Sequence, residues 1–327
     1  MKQYCNKKIR SYKDIFAFFL QCWVLDIINE IRPKQKRWRP QTDNTLLFKI
    51  YILQMLNNWS DPQTEKEITT NITYWAFLEI NPVNQEIPDE STICRFRELL
   101  RINWFQEICF NLVIQELKKL WILDTDIVML DSTIIESAKS TKNKTFSRDP
   151  EMQSTCKRWT WYFWMKAHIL TSSKALVCNL ISTPANIFDW NMSDELINSV
   201  ESCSYVFGDS WYISKERIEQ YEKLWITCMF CEKWYKNHPL TPEQRHNNRI
   251  KSWIRAKVEH PFCKLKCKLG FRKARFKWIY KNHLQLCFAF TLINIMTVKE
   301  EILNNTEIHK NIVNMWLFSH SFNMQNI

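Results

Sequence analysis

Two different periodicities divide the chain. Up to about residue 125 apolar positions recur every three to four residues, the spacing of helices with one buried face. Ile15-Phe16 through Leu25 and Ile28 form the first such stripe, closed by a basic run from Arg32 to Arg37 that Pro33 and Pro40 bracket as a connector. From Thr45 to Met55 the residues are apolar nearly all round, which predicts a buried helix. Ser60-Asp61-Pro62 predicts a cap with proline in the first turn, leading into a shorter helix around Glu65. Past Pro82 and Pro88, either Asp89 or Ser91 is suited to cap a helix whose Arg95 and Arg97 face outward. A further helix is expected from Trp104 to Leu120.

At Asp126 the pattern shortens to strand-like runs. Ile127 to Leu130 ends at Asp131, and a polar, basic loop from Lys139 to Lys157 follows without periodicity. Trp161 to Leu170 and Ala175 to Ser182 read as strands, 192–200 as a helix, and Ser204 to Phe207 as a strand closed by Gly208-Asp209. Ile213 to Leu224 then reads as a helix and Trp225 to Phe230 as a strand, and helices carry the chain through Glu259 to Met296. Three strands in succession, then strands alternating with helices, predict an α/β domain with a mixed sheet flanked by helices, behind a mostly helical amino-terminal domain. The expected boundaries are 1–125, 126–298 and a tail from 299 to 327. Leu284 to Met296 is interrupted by Gln285, Thr291 and Asn294, so it reads as a buried helix and not as a membrane span.

The 327 residues carry 45 Lys and Arg against 34 Asp and Glu, a net charge of +11. Such an excess points to nucleic acid or another anionic surface. Short helices with Arg95 and Arg97 near a start suit a helix-turn-helix type of DNA-binding unit, or else a bundle packed on the second domain. The start, MKQYCNKKIRSYKD, has no signal-peptide h-region directly behind its charges, which argues for a cytoplasmic protein with its 12 cysteines reduced. Cys228-x-x-Cys231 with Cys263-x-x-x-Cys267 is the one metal-like cysteine spacing, and zinc there is the weaker reading. Glycine is scarce. Only 2 glycines stand beside 16 tryptophans, where ordinary usage predicts about twenty glycines.

The candidate chemistry lies in three carboxylates. Arg249 to Lys277 is crowded with Lys and Arg, and Glu259 is its sole acid. A lone carboxylate in such a field suits a metal ion, and the field suits a polyphosphate; the plainer reading is an Arg255–Glu259 pair one helical turn apart. Asp131 and Asp209 each close a short apolar run, where ligands collect in sheets flanked by helices, although such acids also serve as caps or turn formers. If the two strands are neighbours, the acids repel unless a divalent cation such as Mg²⁺ lies between them.

Ordered blocks along the chain resemble the DDE transposases of bacterial insertion sequences, specifically the insertion sequence five family within the IS4-like superfamily. They are Leu130-Asp131-Ser132-Thr133-Ile134-Ile135-Glu136, Arg148-Asp149-Pro150-Glu151-Met152, Lys166-Ala167-His168-Ile169, Thr183-Pro184-Ala185-Asn186 with Asp189, Gly208-Asp209-Ser210-Trp211-Tyr212, Arg255 to Phe262, and Gly270 to Arg275. Arg39-Pro40 and the stretch from Pro88 to Arg97 match as well. The resemblance implies an RNase H-like catalytic domain with Asp131, Asp209 and Glu259 as catalytic, metal-binding residues for Mg²⁺, for which Mn²⁺ can substitute. It implies DNA transposition on terminal inverted repeats and target DNA, by a homodimer, in the bacterial cytoplasm at the nucleoid. Of the family's Tyr-x2-Arg-x3-Glu-x6-Lys signature, Arg255, Glu259 and Lys266 are present, whereas Ser252 takes the tyrosine position. Arg255, Lys266, Lys257, Arg272, Lys273, Arg95 and Arg97 are the candidate DNA contacts.

At several places, among them Trp38 and Phe163-Trp164-Met165, tryptophan or another residue stands where relatives carry glycine. A decayed copy or a translation that assigns tryptophan where another residue belongs accounts for this equally well. The functional alternatives are a catalytically inactive, decayed transposase that only binds DNA, and a metal-dependent nuclease or resolvase on the same fold.

Overall fold

The structure is a computed structural model that describes residues 2–34, 41–81, 85–137, 149–157, 159–212, 214–235 and 239–304. Trp38, Arg39 and Pro40, the basic loop over 138–148 and the tail from 305 lie outside these residues. The chain divides into two compact units. One comprises Met1–Glu116 with Thr291–Ile327, the other Leu117–Phe290.

The first unit is helical. It contains α1 (Lys2–Gln21), α2 (Val24–Ile31), α3 (Asn44–Asn57), α4 (Asp61–Thr70), α5 (Ile72–Leu78), α6 (Glu90–Ile102) and the larger part of α7 (Phe105–Lys119). Helix α3 is buried along nearly its whole length, as its all-round apolar sequence requires. Lys49, buried on it, donates to Glu79 Oε2 at 2.8 Å and lies over the Phe16 ring. The caps follow sequence chemistry: Asp43 accepts from Leu46 N, Ser60 from Gln63 N with Pro62 in the first turn, and Asp89 from Thr92 N. One expectation fails. Arg97 does not face outward; its guanidinium is ion-paired with Asp61, tying α6 to α4.

The second unit is mixed α/β. Its strands are β1 (Ile127–Glu136), β2 (Gln153–Lys157), β3 (Thr160–Ser172), β4 (Val177–Pro184), β5 (Tyr205–Gly208) and β6 (Thr227–Phe230). β1 pairs antiparallel with β3 on one side and parallel with β5 on the other, and β6 extends the sheet parallel to β5. The far edge of β3 is shared by β2, opposite Thr160 to Trp164, and β4, opposite Met165 to Thr171. β2 falls in the stretch that sequence reading assigns to a basic loop; its five residues, QSTCK, are too polar to show a strand pattern by themselves. Helices α8 (Ser193–Asn198) and α9 (Lys215–Lys223) connect the later strands, and α10 (Pro242–Arg255) and α11 (Glu259–Cys263) follow. α12 (Ile279–Asn304) begins in this unit, continues from Thr291 as part of the helical one, and is buried along most of its length. Among the described residues no helix is long and apolar enough to cross a membrane.

Candidate active site

β1 and β5 run parallel with Met129 opposite Phe207. Two residues further along each strand come Asp131 and Asp209, so this register alone sets the two acids side by side at one end of the parallel pair. The sequence expectation that Asp131 ends its strand is corrected: β1 continues to Glu136 because β3 supports it through Trp164. Its parallel partner stops at Gly208, which opens the space beside Asp131. Gly208 is needed there, since a Cβ would lie 2.9 Å from a Tyr212 ring carbon and 3.0 Å from Phe230. Asp131 Oδ1 accepts from Ser132 N at 2.8 Å, and Asp209 Oδ1 accepts from Trp211 N at 2.9 Å. Each aspartate keeps its second oxygen for other partners.

Arg255 supplies the shared partner. Its Nη2 lies 3.8 Å from Asp131 Oδ2 and its Nη1 3.9 Å from Asp209 Oδ2, so one guanidinium stands between both carboxylates. Arg255 ends α10, and Glu259 begins α11 four residues later, after a 3-10 turn over Ala256–Val258. A π-helical turn, Lys264–Lys268, follows. Departures from regular helix of this kind re-aim side chains and recur at functional sites. Glu259 is exposed and close enough for its charge to act on Asp131. Among the described residues no three His, Cys, Asp or Glu side chains converge at metal-ligand distance. The structure thus brings Asp131 and Asp209 together around one cation, with Glu259 a helical turn beyond it.

Burial dominates the electrostatics. It pushes the Asp131 carboxyl up to about 6 against the lowering influence of Arg255 and the Ser132 hydrogen bond, while Glu259 and Asp209 raise it further. Asp209 is also raised, by burial first, with the Trp211 hydrogen bond and Arg255 opposing. The two carboxylates offer hard oxygen atoms of the kind that a divalent ion of the Mg²⁺ class prefers, and in this structure the Arg255 guanidinium stands between them.

The candidate DNA contacts lie in different surroundings. Lys266 donates from Nζ to Thr133 Oγ1 at 2.6 Å, two residues beyond Asp131 on β1. Arg272 and Lys273 are exposed on a segment that pairs with the end of β1: Glu136 N donates to Arg272 O, Ala274 N donates to Glu136 O, and Lys273 Nζ lies 3.5 Å from Glu136 Oε2. Lys257 is half-buried between Arg255 and Glu259. Ser252, in the tyrosine position, is exposed with its Oγ 3.5 Å from Cys231 Sγ. In the helical unit Arg95 is exposed and bonds back to Ser91, whereas Arg97 is turned inward and ion-paired with Asp61.

Sequence reasoning did not assign a role to a polar cluster beside Asp209. Lys166 donates to Ile187 O at 2.8 Å and to Asp189 Oδ1 at 3.0 Å. His168, buried, is within hydrogen-bond distance of Thr183 Oγ1 at 2.8 Å, with Nδ1 3.6 Å from Asp189. Burial pushes this imidazole down to about 4, with Asp189 opposing and Lys166 adding to the shift. Asp189 in turn acts on Asp209. The signal was in the sequence blocks holding Lys166, His168 and Asp189, which carry no chemistry until β3 and the segment after β4 bring them together. Asp149 and Glu151 likewise prove to be caps: they accept from Trp278 N and Ile279 N, at 2.6 Å each, where α12 begins.

Residues 122–295 match the family described as the transposase DDE domain, more than half of the chain. Residues 8–99 match a transposase domain, DUF772.

Proposed function

Because the chain belongs to the DDE-domain transposases, we propose that it binds the terminal inverted repeats of an insertion sequence of the IS5 type and catalyses Mg²⁺-dependent cleavage and strand transfer. The observation that carries this reading is the pair Asp131 and Asp209, set side by side by the β1–β5 register and already flanking a cationic group. The order β4-β3-β1-β5-β6, antiparallel on one side of β1 and parallel on the other, supports an RNase H-like assignment of the sheet.

Asp131, Asp209 and Glu259 would hold the metal. Bound there, Mg²⁺ or Mn²⁺ supplies activation of an attacking hydroxyl and neutralisation of charge on the phosphate. The remaining roles belong to the chain itself. Arg255, its planar fork between the acids, orients both carboxylates and presents positive charge where a phosphate would arrive. Lys266, held against Thr133 of β1, adds a point charge. Arg272, Lys273 and Lys257 hold the DNA backbone around them, and Arg95 does so from the helical unit. A water oxygen displaces the 3′-oxygen from a phosphorus at the element end. The freed 3′-hydroxyl then attacks a target phosphorus and displaces the target strand's own 3′-oxygen, which leaves as a hydroxyl, without a covalent protein–DNA bond. Two protomers acting together at the nucleoid would bring both element ends to one target.

Incubating the purified protein with element-end DNA and Mg²⁺ tests this directly. Cleavage and joined products are expected from the parent, with losses of at least 100-fold in Asp131→Asn, Asp209→Asn and Glu259→Gln at unchanged DNA affinity. Cleavage by Glu259→Gln at the parental rate would remove that residue from the mechanism; DNA binding without cleavage by the parent would leave only the DNA-binding reading.

A further inference from the structure

Among the described residues, nine other than glycine adopt a positive φ, and six of them are tryptophan: Trp23, Trp104, Trp121, Trp159, Trp225 and Trp278, with φ between 53° and 82°. The left-handed region is costly for any residue with a Cβ, and glycine, asparagine and aspartate normally fill it. A bulky aromatic there is an outlier once. Six times in one chain, it is a rule.

The backbone around five of these residues is that of glycine sites. Trp121 follows the end of α7 with its N–H on Lys118 O, and the next residue, Ile122, donates to Leu117 O. Trp225 repeats the arrangement after α9: its N–H is on Glu222 O, and Ile226 donates to Tyr221 O. This pair of bonds is the Schellman closure, whose left-handed residue is glycine by strong preference. Trp23 and Trp104 follow α1 and α6 with the same contact three residues back, to Leu20 O and Arg101 O. Trp159 stands between β2 and β3, where a sharp reversal needs positive φ. Gly270, one of the chain's two glycines, shares the same left-handed conformation with φ 62°.

At the three most exposed of these sites the indole stands in solvent. Trp121, Trp159 and Trp225 are 91%, 98% and 91% exposed. DNA stacking would select exposed tryptophans by their place on one surface, whereas these are selected by backbone angle and are scattered over helix ends and a hairpin. By contrast, Trp59 is buried edge-on against Tyr74, and Trp75 donates to Ile68 O at 2.7 Å; neither has positive φ. Composition agrees in direction, since only 2 glycines stand where about twenty are usual, and tryptophan, at 16, is in excess.

We infer that these six tryptophans occupy glycine positions, and that the polypeptide made in its source cell carries glycine there, one triplet read as tryptophan in this sequence being decoded as glycine. Random decay would scatter many residue types over many backbone conformations. A single reassigned triplet replaces one residue type by one other, at the positions where glycine is needed.

Two measurements test this. Peptide mass spectrometry of the protein from its source cells is expected to find glycine at the six positions; tryptophan there would overturn the inference. Independently, the chain with all six changed, W23G through W278G, is expected to melt roughly 5 °C or more above the chain with tryptophan, whereas Trp59→Gly alone lowers the melting temperature. A six-fold variant that melts no higher, or a Trp59→Gly variant that gains as much, would equally defeat it.

Discussion

Asp131 is held in a place that costs the protein stability above neutral pH. The folded carboxyl titrates near 6 because it is buried, against about 3.9 in an unfolded chain. Between those values the folded state keeps a proton that the unfolded state releases, so stability falls as pH rises through the window and remains lower above it. Asp131→Asn is therefore expected to gain about 2 kcal/mol at pH 7.5 and almost nothing at pH 4, in denaturant melts at the two pH values. An equal gain at both would assign the effect to something other than ionisation. Arg97 behaves oppositely. It and Asp61 are mostly buried together, so Arg97→Ala leaves a carboxylate short of its cation and is expected to cost about 2 kcal/mol in the same assay. DNA affinity of the folded variant should not change.

Among the elements, the end of β5 is closely packed. Gly208 packs its bare Cα against Tyr212 and Phe230, and Asp209 follows at once. Gly208→Ala must push the two rings or the strand aside, at a cost of about 1–3 kcal/mol. Because the displaced residue is the neighbour of Asp209, cleavage is expected to fall more than stability, as rates compared with melts on the same preparation would reveal. The Arg255–Glu259 segment is the second such element. The shift there from α to 3-10 and then π winding turns Arg255 toward the two aspartates and not into a simple pair with Glu259 one turn on.

At the scale of the molecule the net charge is +11, and Arg272 and Lys273 are two of its exposed cations, on the segment that pairs with the end of β1. Phosphate contacts of this kind release counterions. Binding of element-end DNA is accordingly expected to weaken steeply with salt, and Arg272→Ala with Lys273→Ala together should flatten the slope of log affinity against log salt by about two. A slope left unchanged would remove both from the interface.

Much of this protein was legible in the residues themselves. Apolar periodicity marks α3 as buried, the Ser60, Asp89 and proline signals mark helix starts, and the strands around Asp131 and Asp209 show as short apolar runs, because propensity, capping and burial act within a few residues. What no local pattern could decide is which strands are neighbours. β2 shows no pattern because its support comes from β3, and Arg97 turns inward because Asp61, 36 residues away, meets it there. Asp131 and Asp209, 78 positions apart in the sequence, become one site only through the parallel register of β1 with β5. The backbone angles at the exposed tryptophans are of the same origin: composition shows the shortage of glycine, but only the folded chain shows where the left-handed turns need it.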